Sequence, residues 1–169
     1  MKKILMVVVA MVMAVSANAQ NPDKGMSWAV EIGAGTELEI GGRLQKNFNK
    51  YFAWDVAVLK YAFDYNPSIT WYDWNTGALY KISNNWHEVT IQTGVRGFSP
   101  KYYKEMKAFA ALDMGYGAAF GDGWNSNHFA LDFTIGTYVV KGLYVGYGLG
   151  VLCANGNHTD HLVRIGYNF

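Results

Sequence analysis

Ser126, His128, His158, Asp160 and His161 are the residues whose types and closeness in the chain suggest chemistry first. A serine, an imidazole and a carboxylate in reach of one another make a nucleophile, its base and an orienting group. With Asp122, the same histidines and aspartates offer oxygen and nitrogen ligands for a metal. The spacing does not carry either reading. Ser126-Asn-His128 and His158-Thr-Asp-His161 match no nucleophile motif and no fixed ligand spacing, and both lie in polar, loop-like stretches where these residues are common. They are expected to be solvated loop residues, leaving no catalytic set, no metal site and no cofactor. Cys153 is the only cysteine, so no internal disulfide forms, and it is expected to be a small, half-buried strand residue.

A second set of ionisable residues is more orderly, because it falls on alternate positions of extended stretches. Glu31, Glu39, Arg43, Asp55, Glu88, Arg96, Asp113, Asp132 and Arg164 each face away from an apolar row such as Trp28, Val30, Ile32 and Ala34, or Phe129, Leu131, Phe133 and Ile135. The stretches that position them are predicted strands: 28–34, 38–48, 52–63, 86–98, 108–120, 129–139, 143–151 and 161–169. Phe52, Trp54, Val56 and Val58 are expected on the apolar side of the third. Phe48 and Phe52 share a face only if Asn49, Lys50 and Tyr51 form a three-residue turn. Connections 49–51, 99–107 and 140–142 are compact or charged and lie on one end. The other end has loops at 66–85, 121–127 and 154–160, of which 66–85 reads as the longest irregular stretch.

The chain starts Met1-Lys2-Lys3, runs apolar from Ile4 to Val15 and reaches Ala17-Asn18-Ala19, the order of a secretory signal peptide with cleavage expected after Ala19. Residues 20–169 then form one domain. Losing Lys2 and Lys3 leaves 12 basic against 13 acidic side chains, which argues against nucleic acid as a partner. Charged residues make up 16% of the chain, against about 25% for soluble domains, and the polar face of the strands is rich in Gly and Ala. Small residues and isolated charges suit the cramped interior of an eight-stranded barrel, with the apolar face turned outward to lipid and aromatics gathered near strand ends. The fold expected is therefore all-β, an eight-stranded antiparallel up-and-down transmembrane β-barrel. The nine inward charges are expected to form a paired network that plugs the lumen and leaves no diffusion pore.

The last nine residues alternate strictly, with Val163, Ile165, Tyr167 and Phe169 on one face, and the chain ends on an aromatic. This ending resembles the C-terminal signature of bacterial outer-membrane β-barrel proteins. Gly94-Val-Arg-Gly-Phe98 and Phe109-Ala-Ala-Leu-Asp-Met-Gly-Tyr-Gly117 are similar to the middle of small OmpA/OmpX-like barrel domains. The resemblance implies a Gram-negative-type outer membrane, both termini in the periplasm, lipid and lipopolysaccharide around the barrel, and a monomer. It also implies that the insertion machinery reads Val163, Ile165, Tyr167 and Phe169. A structural or interaction role through the outer loops is expected. The alternatives are a lipid A deacylase- or acyltransferase-like enzyme, as some eight-stranded outer-membrane barrels are, and a soluble periplasmic ligand-binding barrel. Trp71, Tyr72, Trp74 and Trp124 form either a loop contact patch or part of the upper aromatic girdle. At the seam, Arg164 is expected to pair with Glu31.

Overall fold

The computed structural model describes residues 25–63, 68–73, 76–83, 86–121, 124–153 and 157–169. Ten strands follow one another: β1 (Gly25–Gly35), β2 (Leu38–Asn47), β3 (Phe52–Phe63), β4 (Ser68–Asp73), β5 (Ala78–Ser83), β6 (Trp86–Phe98), β7 (Lys107–Gly121), β8 (Trp124–Tyr138), β9 (Leu143–Cys153) and β10 (Asn157–Asn168). Eight of them close into an antiparallel barrel in the order β1-β10-β9-β8-β7-β6-β3-β2, and β4 and β5 pair separately as a two-stranded sheet. The predicted signal peptide and its cleavage site lie outside the described residues, as does Trp74.

Strict alternation is what makes the barrel possible. Each strand sends one residue in two to the surface, and those residues are apolar: Ile32, Ile91 and Val95 are each about 60% exposed, while their inward neighbours Glu31, Gln92 and Arg96 are buried. Closure satisfies the last free edge. β1 meets β10 with Ile32 opposite Ile165 and Glu31 opposite Gly166. Beyond the ladder, the Phe169 amide donates to the Trp28 carbonyl at 2.8 Å, and the two rings stack at 4.3 Å between centroids. The terminal aromatic thus finishes the seam.

The three-residue turn forms as expected, with the Phe48 amide bonded to the Phe52 carbonyl at 3.0 Å and both rings exposed. Three other expectations need correction. Loop 66–85 contains the β4–β5 hairpin, with Trp71 opposite Tyr80. The loops read at 121–127 and 154–160 are largely strand, because β7–β8 pairing continues up to Gly121 opposite Trp124 and β9–β10 pairing to Cys153 opposite Asn157. Polar side chains do not stop a ladder that rises past the apolar belt. Cys153, at the top of β9, is exposed and not half-buried.

The third strand departs from its pattern in the middle. Leu44 opposes Ala57 while Gln45 opposes Asp55, and on the other side Asp55 opposes Gly94 while Val58 opposes Gln92. Two residues, Val56 and Ala57, therefore occupy one position, a β-bulge. Beyond it the faces exchange. Val58 is fully buried, Leu59 points out at 52% exposure, and Lys60 is inside.

Candidate functional site: a charged lumen and its mouths

All nine ionisable residues expected in the lumen are buried; eight of them separate into two layers along the barrel axis, and Glu88 lies at the outer mouth. The layer towards the chain ends centres on Arg43 of β2. Its Nη1 donates to Asp55 Oδ2 at 2.6 Å, and Nη2 reaches both Glu31 oxygens at 3.2 and 3.3 Å. Asp113 lies 3.5 Å from the same Nη2. Arg96 Nε bonds Asp55 at 3.4 Å, and its guanidinium lies 4.4 Å from the centre of the Phe109 ring. Tyr144 donates its hydroxyl proton to Glu31 at 2.7 Å. Beneath this layer the barrel is filled by aromatic rings: Phe109, Tyr138 and Tyr144 pack edge-on or tilted with centroids 5.3 to 5.5 Å apart. Lys107 stands over Phe98 and Tyr138, covering the lower end.

The second layer centres on Arg164 of β10. Nε and Nη2 grip Glu39 at 2.9 and 3.1 Å, and Nη1 and Nη2 grip Asp132 at 2.5 and 2.7 Å. Such two-pronged contacts are the strong form of an ion pair, because direction and charge act together. Thr134 accepts from Nη1 at 2.7 Å and donates to Asp132 at 3.2 Å. Lys60 bonds Asp132 and lies 3.6 Å from Glu39. Space for Arg164 comes from a missing side chain, since a Cβ on Gly148 would overlap its guanidinium. Gly166 likewise leaves room for Tyr144.

The expected Arg164–Glu31 pair is replaced by these contacts. Arg164 sits opposite Gly33, one step further along the seam than Glu31, and its side chain turns towards Glu39 and across to β8. Glu31 turns the other way, to Arg43 and Tyr144. A guanidinium with five donors is better satisfied by two carboxylates and a hydroxyl than by one partner at the seam.

Lys60 is the principal residue that sequence reasoning missed. Carrying the alternation straight through Val56 and Val58 puts it on the outer face. The signal was present, because Asp55 and Lys60 have opposite parity on one strand, and two inward charges of opposite parity require an inserted residue between them.

The outer mouth holds a small polar cavity of about 20 Å³ lined by Glu37, Glu39, Lys60, Glu88, Gln92 and Asp160, among others. His128 was expected in a solvated loop; instead it lies buried on β8, with Nε2 3.1 Å from Glu88. Asp160 is also inside, accepting from Thr36 at 3.2 Å. His161, the next residue, faces outward and meets the Tyr147 hydroxyl at 2.5 Å. Glu37, in the tight connection between β1 and β2, is 7% exposed. Burial pushes its carboxyl up to about 9, and repulsion from Asp160, Glu88 and Glu39 adds to the shift.

Of the expected contact patch, Trp71 and Tyr72 fall on β4 and Trp124 opens β8. Val163, Ile165 and Tyr167 form an exposed outward row on β10 that Phe169 continues. Among the described residues no group of three or more His, Cys, Asp or Glu is placed to hold a metal ion.

No known protein family matches the sequence, and no curated protein matches it either. The fold does have solved counterparts. Neisserial surface protein A is 11% identical, with 85% of this chain and 92% of that one covered at a TM-score of 0.55. Ail, the attachment invasion locus protein of Yersinia pestis, is 10% identical, with 86% and 99% covered at 0.50. The N-terminal β-barrel domain of Pseudomonas aeruginosa OprF is 6% identical, with 87% and 98% covered at 0.50. The chain has the fold of the small eight-stranded outer-membrane barrels.

Proposed function

We propose that this chain is an integral outer-membrane β-barrel of a Gram-negative-type bacterium, monomeric, acting structurally or through contacts made by its outer connections, with a closed lumen. The observation that carries this is the inversion of its faces. Ile32, Ile40, Ile91, Val95, Ile135, Val163 and Ile165 are exposed around the wall, while Arg43, Arg96, Arg164, Lys60 and their carboxylates are buried inside. In water that arrangement exposes its apolar surface and desolvates its charges at once; in a bilayer the first cost disappears. The start of β1 and the end of β10 lie on the side of the compact connections, which supports a periplasmic location for the termini.

The outward rows meet lipid and lipopolysaccharide, and the terminal row from Val163 to Phe169 is the segment presented to the insertion machinery. Interaction through the outer end is supported by the β4–β5 hairpin, which pairs apart from the barrel sheet in the connection between β3 and β6, and by the name of Ail, an attachment invasion locus protein. A closed lumen is supported by the stacked rings and two ionic layers. A non-enzymatic role is supported by the other partners of the candidate residues: His128 is bonded to Glu88, Asp160 to Thr36, and His161 faces outward to Tyr147.

Fractionation tests the placement. The folded protein is expected in the outer membrane, with heat-modifiable migration in detergent gels, and recovery in the soluble periplasm overturns it. Lipid A mass spectra from cells with and without the protein test the non-enzymatic role; identical acyl chains are expected, and a change in them overturns it.

A further inference from the structure

Among the described residues, exposed lysines gather at one end of the barrel. At the end holding the chain termini, Lys46 and Lys50 flank the β2–β3 turn, Lys101 and Lys104 lie in the β6–β7 connection, and Lys141 lies between β8 and β9. All five are exposed. Glu105 is the one acidic side chain among the described residues of these connections, and it is taken by Lys101 at 2.6 Å. Lys46, Lys50 and Lys104 stand in or beside connections with exposed aromatic rings: Phe48, Tyr51, Phe52 and Trp54 at one turn, and Tyr102 and Tyr103 at the next. Lys50 is held 5.0 Å from the Tyr51 ring centre and Lys104 5.3 Å from that of Tyr103. Aromatic rings mark the boundary between acyl chains and headgroups, so ammonium groups at their edge stand at the level of lipid phosphates.

Lys104 adds an independent observation. Its φ of 49° makes it the one non-glycine residue with positive φ in the described chain. Glycine would take that conformation without strain, so the turn holds a cation outward at a backbone cost.

We propose that this lysine collar is a docking surface for the anionic phospholipids of the periplasmic leaflet, which it gathers around the barrel in preference to zwitterionic lipid. The leaflet assignment rests on the orientation given under Proposed function. Charge complementarity selects the partner: five lysines around the rim face a single carboxylate side chain, Glu105, among the described residues of these connections, and a phospholipid with net negative charge neutralises the excess where a zwitterion does not. Beside Lys50, an apolar groove lined by Tyr51, Phe52, Gly97, Phe98, Ala108 and Ala110 offers a seat for the acyl chain below such a headgroup.

The test uses the full folded chain in nanodiscs of phosphatidylethanolamine with a minority of phosphatidylglycerol, reading the lipids that stay bound by native mass spectrometry. Phosphatidylglycerol is expected at more than about twice its bulk share, falling to the bulk share in the combined K50Q/K104Q/K141Q variant. Lys104→Gly alone is expected to lower the enrichment while leaving the barrel at least as heat-stable, which separates lipid binding from folding. Glu105→Gln, by freeing Lys101, is expected to raise it. No enrichment, or equal enrichment in the triple variant, overturns the proposal. Orientation is tested separately with an epitope in the 99–106 connection. It is expected to be reachable by antibody only after permeabilisation; labelling of intact cells overturns the leaflet assignment but not the lipid preference measured in nanodiscs.

Discussion

Arg164 of β10 and Asp132 of β8 meet inside the lumen over the intervening β9, joined by two hydrogen bonds of 2.5 and 2.7 Å, although the two strands are not paired with each other. The contact reaches over β9, which lies between the two strands, and so ties together strands that share no ladder as well as balancing local charge. Because both groups are buried, removing one leaves the other short of a partner, although Asp132 keeps Lys60 and Arg164 keeps Glu39, and breaking such a pair typically costs up to about 3–5 kcal/mol. A double-mutant cycle on Arg164→Met and Asp132→Asn, read by unfolding in detergent, is expected to show strong coupling. The parallel cycle on Arg164→Met and Glu31→Gln is expected to be near additive, since Glu31 is bonded to Arg43 and Tyr144. Equal coupling in both cycles would mean that the two layers act as one network.

The faces can be tested at adjacent positions of β8. Ile135 is outward and 47% exposed, while Thr134 is inward and bonded to Arg164 and Asp132. Ile135→Lys places a cation in the apolar belt and is expected to destabilise the inserted protein by about 2–4 kcal/mol if the position lies near the bilayer midplane. Thr134→Ser keeps the hydroxyl and is expected to change little. Unfolding in lipid vesicles distinguishes the two, and equal tolerance would place the strand in the wrong register.

Glu37 gives the protein a pH dependence with a definite sign. Its folded-state value of about 9 lies above the ordinary 4.5, so the native state holds a proton that the unfolded chain releases first. The stabilisation is fully present below pH 4.5 and is lost progressively as pH rises through 9. Glu37→Gln cannot ionise, so it is expected to flatten this part of the stability profile, with a gain over the parent on the order of 6 kcal/mol at pH 9 and little difference at pH 4. Unfolding midpoints across that range check it. Parallel profiles would show that the Glu37 carboxyl is solvated at the mouth.

Much of this molecule is legible in alternation. Glu31, Arg43, Arg96, Asp113, Asp132 and Arg164 are assigned to the interior by period two alone, because one buried face fixes the register of every residue on a strand. Partner choice is not legible in the same way. Arg164 reaches Asp132 only because Gly148 leaves the space between them empty, and a glycine on an inward face reads the same whether or not a guanidinium fills its place. The outer ends are illegible for another reason: Ser126, His128 and Asp160 have loop-like composition, yet ladder hydrogen bonds carry β8 and β10 past them.

The bulge at Val56 and Ala57 is where period two fails, and it makes a prediction that substitutions alone do not. Doubling up at this position leaves the Asp55 carbonyl outside the regular ladder, and Thr93 fills the gap, donating its hydroxyl to that carbonyl at 2.9 Å while accepting from Trp54 Nε1 at 2.9 Å. Thr93→Val removes both contacts and is expected to cost about 1–3 kcal/mol. Deleting Val56 is expected to be milder than its position in a transmembrane strand suggests, because Asp55, Ala57 and Val58 then oppose Gly94, Thr93 and Gln92 in an unbroken ladder and Lys60 stays inside. Deleting Leu59 instead keeps the bulge but turns Lys60 outward into lipid and leaves Asp132 and Glu39 short of a cation, so it is expected to abolish folding. Heat-modifiable migration of the two deletion variants decides the matter. If the Leu59 deletion folds and the Val56 deletion does not, the bulge is required for closure and the inward position of Lys60 is not.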